Sequence, residues 1–181
     1  MNWKIYKLWD ILTRKKLTIN ILNDISYKRI TIKPYWKGIL LRDQKLWKNI
    51  LIKKQFIINE WQFIISINNA NNWVFWVVSK ECDNSIITWN FRICDINKKI
   101  VNTDWIKLYF TTDYFINNCS KSSFLSKNKE YLNEIIFLNQ ELYIPNIETQ
   151  NNLIKTYFNK KTEFDEVLNK LNDDEYYIKQ L

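Results

Sequence analysis

The chain has 181 residues, a net charge of +8, no histidine and one glycine, Gly38. That length suits one domain with a real hydrophobic core. The missing histidine excludes Cys₂His₂ zinc sites, histidine-based catalytic triads and haem ligation through histidine. A lone glycine excludes the P-loop and the dinucleotide fingerprint, which need several glycines for close backbone approach to phosphate.

From the N-terminus, Ile5, Leu8, Trp9 and Leu12 fall at helical spacing within 2–13, predicting a short amphipathic helix that ends in "TRKK". Cations in its last turn suit the negative end of a helix dipole. "LTINIL" and "YKRITIK" read as strands rich in β-branched residues. Pro34 and Gly38 mark a loop, "KPYWKG". A second amphipathic helix is predicted over 43–54, with Leu46, Trp47, Ile50 and Leu51 on its stripe.

The centre carries four strand-like runs, "WQFIISI", "WVFWVVS", "IITWNFRIC" and "WIKLYF", joined by short polar segments. This predicts an antiparallel β-meander over 61–111. In the third run Ile87, Trp89, Phe91 and Ile93 share one face, and Thr88, Asn90 and Arg92 the other. The second run is apolar on both faces and is expected to be the most buried.

After a polar link, "KSSFLSKNK", helical periodicity takes over. "EYLNEIIFLNQEL" reads as a helix with Leu132, Ile135, Ile136 and Leu142 inward, interrupted by Pro145. "QNNLIKTYF" and "TEFDEVLNKL" read as two further helices. Thr162 and Asp165 match a capping start for the last one, and Phe164, Val167, Leu168 and Leu171 form an i, i+3, i+4, i+7 stripe. The expected fold class is therefore α+β, with N-terminal amphipathic helices, a central meander and a C-terminal helical extension. The expected division is a basic domain over 1–120 and an extension over 121–181, which can also pack as one domain.

Cys82, Cys94 and Cys119 form no C-x-x-C pair and read as reduced, buried thiols. No run of eighteen apolar residues occurs, and charges interrupt "MNWKIYKLWDILTRKK", so neither a membrane span nor a signal peptide is expected. Ile, Asn and Lys supply 75 residues, whereas Gly, Ala, Arg and Pro supply eight. That bias marks an AT-rich gene. Nine tryptophans in such a gene suggest that UGA is read as Trp, as in mitochondria, in other organelles and in reduced bacteria.

The carboxylates Glu81, Asp83, Asp95, Asp104 and Asp113 fall in predicted turns, where backbone hydrogen bonding explains them. No constellation for catalysis, metal or cofactor emerges, and a non-enzymatic role is expected. The stretch "WVFWVVSKECDNSIITWNFRICD", followed by "WIKLYFTTDYFIN", resembles the small soluble-arm subunit of NADH:quinone oxidoreductase. Leu108 and Tyr109 stand at the I-Y of that family's I-Y-x-S-A-x-W-L-E-R-E segment, Thr111 at its S and Tyr114 at its W. Ile116, Asn117 and Asn118 replace E-R-E, and no D-x-F-G follows. The resemblance implies a structural subunit of a respiratory complex as the alternative function.

Charge is concentrated at one end: residues 1–60 carry fourteen Lys/Arg against four Asp/Glu. Aromatic residues interleave with these cations, the pattern of a polyanion-binding surface. The first expectation is a mitochondrial ribosomal protein on the matrix side, an obligate member of a larger assembly beside rRNA and neighbouring ribosomal proteins. Its RNA contacts are assigned to Arg14, Lys15, Lys16, Lys28, Arg29, Lys33, Lys37, Arg42, Lys45 and Lys48, with Trp36 as a base-stacking ring.

Overall fold

The computed structural model describes residues 3–35, 37–68, 72, 74–126 and 129–178. The chain begins with β1 (Trp3–Lys7), a single helical turn α1 (Leu8–Ile11), β2 (Leu12–Lys15) and β3 (Thr18–Asn20). A hairpin follows, β4 (Ser26–Ile32) and β5 (Ile39–Leu46), then β6 (Lys54–Ile58), β7 (Phe63–Ser66) and β8 (Phe75–Val77). Next come β9 (Ser85–Ile87), β10 (Phe91–Ile96), α2 (Thr103–Tyr109) and α3 (Asp113–Lys121). The chain then forms β11 (Ser123–Ser126), β12 (Lys129–Leu132), α4 (Glu134–Leu138), β13 (Glu141–Pro145) and α5 (Ile147–Ile178).

Two sheets organise the body. One has the order β2-β10-β7-β8 and the other β3-β6-β9-β4-β5. Neighbours run antiparallel except β4 and β9, which pair in parallel at Arg29 and Ile86. Two ribbons, β1-β13 and β11-β12, complete the strands. Strand β7 lies at the centre: Phe63 and Ile65 enter one apolar cluster and Ile64 the other. The first cluster is aromatic, with Phe63, Phe75, Phe110, Phe115 and Phe137 in mutual contact beneath the helices. The second joins Ile30, Ile32 and Ile58 to Ile64, Val78 and Ile93 between the sheets. Residues from both sides of position 120 share the first cluster.

The mixed, mostly antiparallel character and the C-terminal helix agree with the sequence. The N-terminal amphipathic helices do not. Over 2–13, β1 pairs residue by residue with β13, from Trp3–Pro145 to Lys7–Glu141. That long-range ladder overrides the local periodicity, burying Leu8, Ile11 and Leu12 while Ile5 and Trp9 stay exposed. Over 43–54 the chain completes β5, makes a 3-10 turn at Trp47–Asn49 and enters β6. The β4–β5 ladder, running from Ser26–Leu46 to Ile32–Ile39, is what holds this region extended.

In the centre, β7 and β8 form the expected antiparallel pair. The third run divides. A turn closed by Phe91 N–H donating to Thr88 O (3.3 Å) separates β9 in the second sheet from β10 in the first. Trp89 is consequently exposed at the crossing. The fourth run is helix α2, because Asn102 caps it: its side-chain oxygen accepts from the N–H groups of Asp104 (2.8 Å) and Trp105 (3.1 Å). Among residues 130–142, Leu132 and Leu142 are buried as expected, but Ile135 and Ile136 are exposed and Phe137 points inward. The last two predicted helices are one. Thr162 does not cap; its hydroxyl donates to Phe158 O (3.0 Å) within the continuous α5.

Candidate nucleic-acid interface

Strands β4 and β5 carry Lys28, Arg29, Arg42 and Lys45; Ile30 and Ile32 of β4 are buried, whereas Leu40, Leu41 and Leu46 of β5 are exposed beside the cations. Its loop closes with Lys33 N–H donating to Gly38 O (2.9 Å). The chain's only glycine sits there at φ +100°, a conformation that disfavours any residue with a Cβ. Tyr35, at φ +57°, donates its N–H to Asn72 O (2.9 Å) and ties the loop to the body. Lys33 and Lys37 are exposed on this loop.

A groove of about 530 Å³ opens beside the hairpin. Its charged wall comprises Arg29, Arg42 and Lys45, and its apolar floor includes Ile50, Ile87 and Phe91. Thr31, Asn49 and Gln55 add neutral polar groups. Arg29 and Asp43 are direct cross-strand partners. Arg29 Nε donates to Asp43 Oδ1 (2.6 Å) and Nη2 donates to Oδ2, a bidentate pair that fixes the guanidinium plane. The hydrogen-bonded guanidinium holds the Asp43 carboxyl below the usual carboxylate range. Arg42 Nε lies 3.8 Å from Asp43 Oδ2. One carboxylate therefore partly offsets two arginines while leaving the groove wall positive.

The other predicted contacts are dispersed. Arg14 and Arg92, on β2 and β10, both engage Glu134 on α4: Arg14 Nε at 3.2 Å from Oε1, Arg92 Nε at 2.6 Å from Oε2. Arg14 also donates to Ile93 O (3.0 Å). Burial disfavours its charge, and Glu134 offsets that effect. Lys15 pairs with Asp95 (3.0 Å). Lys16 follows β2, Lys28 lies on β4 and Lys48 sits in the 3-10 turn; among the described residues they make no ion pair. Trp36 lies outside the described residues. Thus Lys28, Arg29, Lys33, Lys37, Arg42 and Lys45 share one hairpin, with Arg29, Arg42 and Lys45 at its groove, whereas Arg14 and Lys15 belong to the other sheet. The reading from sequence missed Asp43 and Glu134 as partners, because neither carries a local signal. It also missed Thr31, Asn49 and Gln55, which only the fold brings to the groove.

Among the described residues, no group of three or more Cys, Asp or Glu side chains is placed to hold a metal ion. No described helix is long and apolar enough to cross a membrane.

The architecture is similar to that of the specificity subunits of type I restriction-modification systems. The HsdS subunit from Thermoanaerobacter tengcongensis superposes with a TM-score of 0.70 at 12% identity, over 91% of this chain and 43% of that one. A second solved chain, from the structural account of complex assembly and conformational transition of the type I R-M system, gives 0.69 at 11% identity with the same coverage. This chain thus spans less than half the length of either neighbour. No family model matches the sequence. No curated protein matches it either.

These neighbours overturn the ribosomal and respiratory expectations together with their partners. The fold is shared with restriction-modification specificity subunits, not with a ribosomal protein or a soluble-arm respiratory subunit. The physical reason for the error is plain. A basic, aromatic-interleaved surface reports a polyanion and not which one, and the letters matched from Leu108 to Tyr114 fall across the end of α2 and the start of α3, without the E-R-E or D-x-F-G that would specify the respiratory family.

Proposed function

We propose that this chain is a DNA-recognition module of the type I specificity-subunit kind, and that it binds duplex DNA through the β4–β5 hairpin and its groove. The observation that carries the reading is the shared fold over 91% of the chain, with the densest cations gathered on one two-stranded ribbon. The major groove of B-DNA admits such a ribbon. Lys33 and Lys37 at its tip suit phosphates, and Arg29, held flat by Asp43, suits a bidentate base edge. The module itself is non-catalytic in this proposal and acts by positioning an assembly on DNA, as part of a larger complex. Its source in this proposal is a reduced bacterium that reads UGA as Trp, a setting that fits both the amino-acid bias and a restriction-modification role.

The test is competition among labelled duplex DNA, single-stranded DNA and duplex RNA by fluorescence anisotropy. Duplex DNA should bind most tightly. With four phosphate-facing cations, Lys33, Lys37, Arg42 and Lys45, log K should fall against log salt with a slope of about −3 to −4. Equal affinity for the three polymers, or no measurable affinity for duplex DNA at low salt, contradicts the proposal.

A further inference from the structure

The groove beside the β4–β5 hairpin is lined by a buried group that the fold leaves half used. Gln55, on β6, is 5% exposed. Its Nε2 donates to Ile52 O (2.8 Å), which fixes the carboxamide. Its Oε1 accepts no hydrogen bond among the described residues, yet it is not sealed from solvent. The side chain lines the groove, so the groove is where that oxygen meets an outside donor. The other two buried glutamines differ. Gln62 and Gln150 each use both ends of the carboxamide inside the fold. Buried polar groups are almost always paired, so an acceptor held open in a cavity points to a ligand that brings an N–H.

Sheet register sets what surrounds it. Arg29 pairs with Ile86, and Ile86 with Ile57. Thr31 and Gln55 lie two residues from Arg29 and Ile57, so all five share the sheet face opposite Ile30 and Ile32. Ile50 packs on Ile86, and Phe91 adds a ring to the lining. Arg42 is the extra residue of a β-bulge: Asp43 faces Arg29 and Leu41 faces Ile30. A bulge re-aims the side chain it carries, and here that side chain lines the groove. Asp43 gives its two close bonds to Arg29 and stands 3.8 Å from Arg42. Lys45, also on the wall, makes no ion pair among the described residues. Cations, apolar surface and an open acceptor thus meet in about 530 Å³, within the roughly 300–1,000 Å³ of small-ligand sites. A base pair inside an intact duplex cannot enter far enough to reach a side chain this buried. A single nucleotide can, and it carries all three complements: a phosphate, a flat ring and an amino group.

We propose that the groove is a subsite for one unstacked nucleotide. Its phosphate lies on Arg42 and Lys45, its base against Ile50, Ile86 and Phe91, and the exocyclic amino group of that base donates to Gln55 Oε1. The nucleotide is either a link of bound DNA turned out of the stack or a free nucleotide, the chemistry being the same. Where it is a link of DNA, this assignment rests on the DNA-recognition reading above; a free nucleotide tests the subsite without it.

The probe is dAMP, titrated into the full chain and followed by the NMR resonances of the Gln55 carboxamide and the Arg42 Nε–H. Both should shift together and saturate. The same purine nucleotide without its amino group should bind about fivefold to tenfold more weakly. Arg42→Ala with Lys45→Ala should weaken dAMP about tenfold and leave deoxyadenosine, which has no phosphate, unaffected. Gln55→Met should bring dAMP and its amino-free analogue to equal affinity; the ligand comparison on the unaltered chain decides the matter should that variant not fold. Fluorescence anisotropy then separates the two sources, using a duplex with one unpaired adenine and the fully paired duplex. An unpaired base is the least costly to turn outward, so about tenfold tighter binding of the first, competed by dAMP, identifies an extrahelical nucleotide. Equal binding of the two, with dAMP still seated at Gln55, identifies a free one. Absence of duplex binding with dAMP binding intact contradicts the DNA-recognition reading and not the subsite. No saturable shift at Gln55 with millimolar dAMP overturns the proposal, as does equal affinity of the unaltered chain for dAMP and its amino-free analogue.

Discussion

Asp43 decides how the arginines of β4 and β5 are presented. With its carboxylate in place, Arg29 is pinned through two parallel hydrogen bonds, and little orientational freedom remains to be lost on binding. The pair is also the titrating point of the hairpin. A carboxyl whose folded pKa is depressed contributes stability above its unfolded value, about 3.9, and loses it as pH falls through the lower folded value. The Arg29 Nε–H resonance should therefore hold its position at neutral pH and move only below pH ~4. Asp43→Asn should abolish that transition; an unchanged titration in the variant places its origin elsewhere. The thiols are a second residue-scale check. All three are buried, burial pushes Cys94 up to about 12 and raises Cys119 as well, and thiolate is the reactive form. A thiol reagent at pH 8 should find no fast-reacting cysteine in the native chain and three after unfolding.

Elements are held in register by a few satisfied polar groups. Gln150 links the start of α5, the end of β13 and the cap of α2: its side chain bonds Ile100 O, Pro145 O and the N–H of Asn102, and Asn102 also donates to Asn151 Oδ1 (2.8 Å). Replacing Gln150 by Ala leaves the Asn102 N–H and two carbonyls without partners, and should destabilise the fold by about 2–4 kcal/mol. Thermal unfolding measures this, and a loss under about 0.5 kcal/mol is the result that counts against the anchoring role. Glu134 does the same for β2, β10 and α4, each of its ion-pair partners being less than a third exposed. Glu134→Gln should cost about 1–3 kcal/mol. Leu168→Ala should change monomer stability by about 0.5 kcal/mol or less, because Leu168 is exposed in the single chain.

At the scale of the whole molecule, legibility divided along the range of the forces involved. β3, β4, β7 and β8 were readable because β-branched runs bounded by turns express themselves locally. The basic third was readable because charge is additive along the chain. β1 and β5 were not, because their partners lie far away or across a six-residue loop and the letters between have helical spacing. α2 was missed for a single residue, Asn102, whose cap outweighs the strand-like letters after it. The groove itself was invisible, since Arg29, Arg42, Asn49, Gln55 and Phe91 meet only through the β3-β6-β9-β4-β5 sheet and its junction with β10.

The central claim is that one face of this basic molecule, the hairpin groove, meets DNA. Duplex affinity should therefore be measured for two variants of equal charge change: Arg42→Ala with Lys45→Ala in the groove, and Lys15→Ala with Lys16→Ala on and just beyond β2. Both should remain folded, because Lys15, Lys16 and Arg42 are exposed and Lys45, half-buried, makes no ion pair among the described residues. The account predicts that the groove pair weakens duplex binding by about tenfold or more and lowers the salt slope by about 2, while the β2 pair has little effect. Equal losses from the two pairs, or a larger loss from the β2 pair, would contradict it.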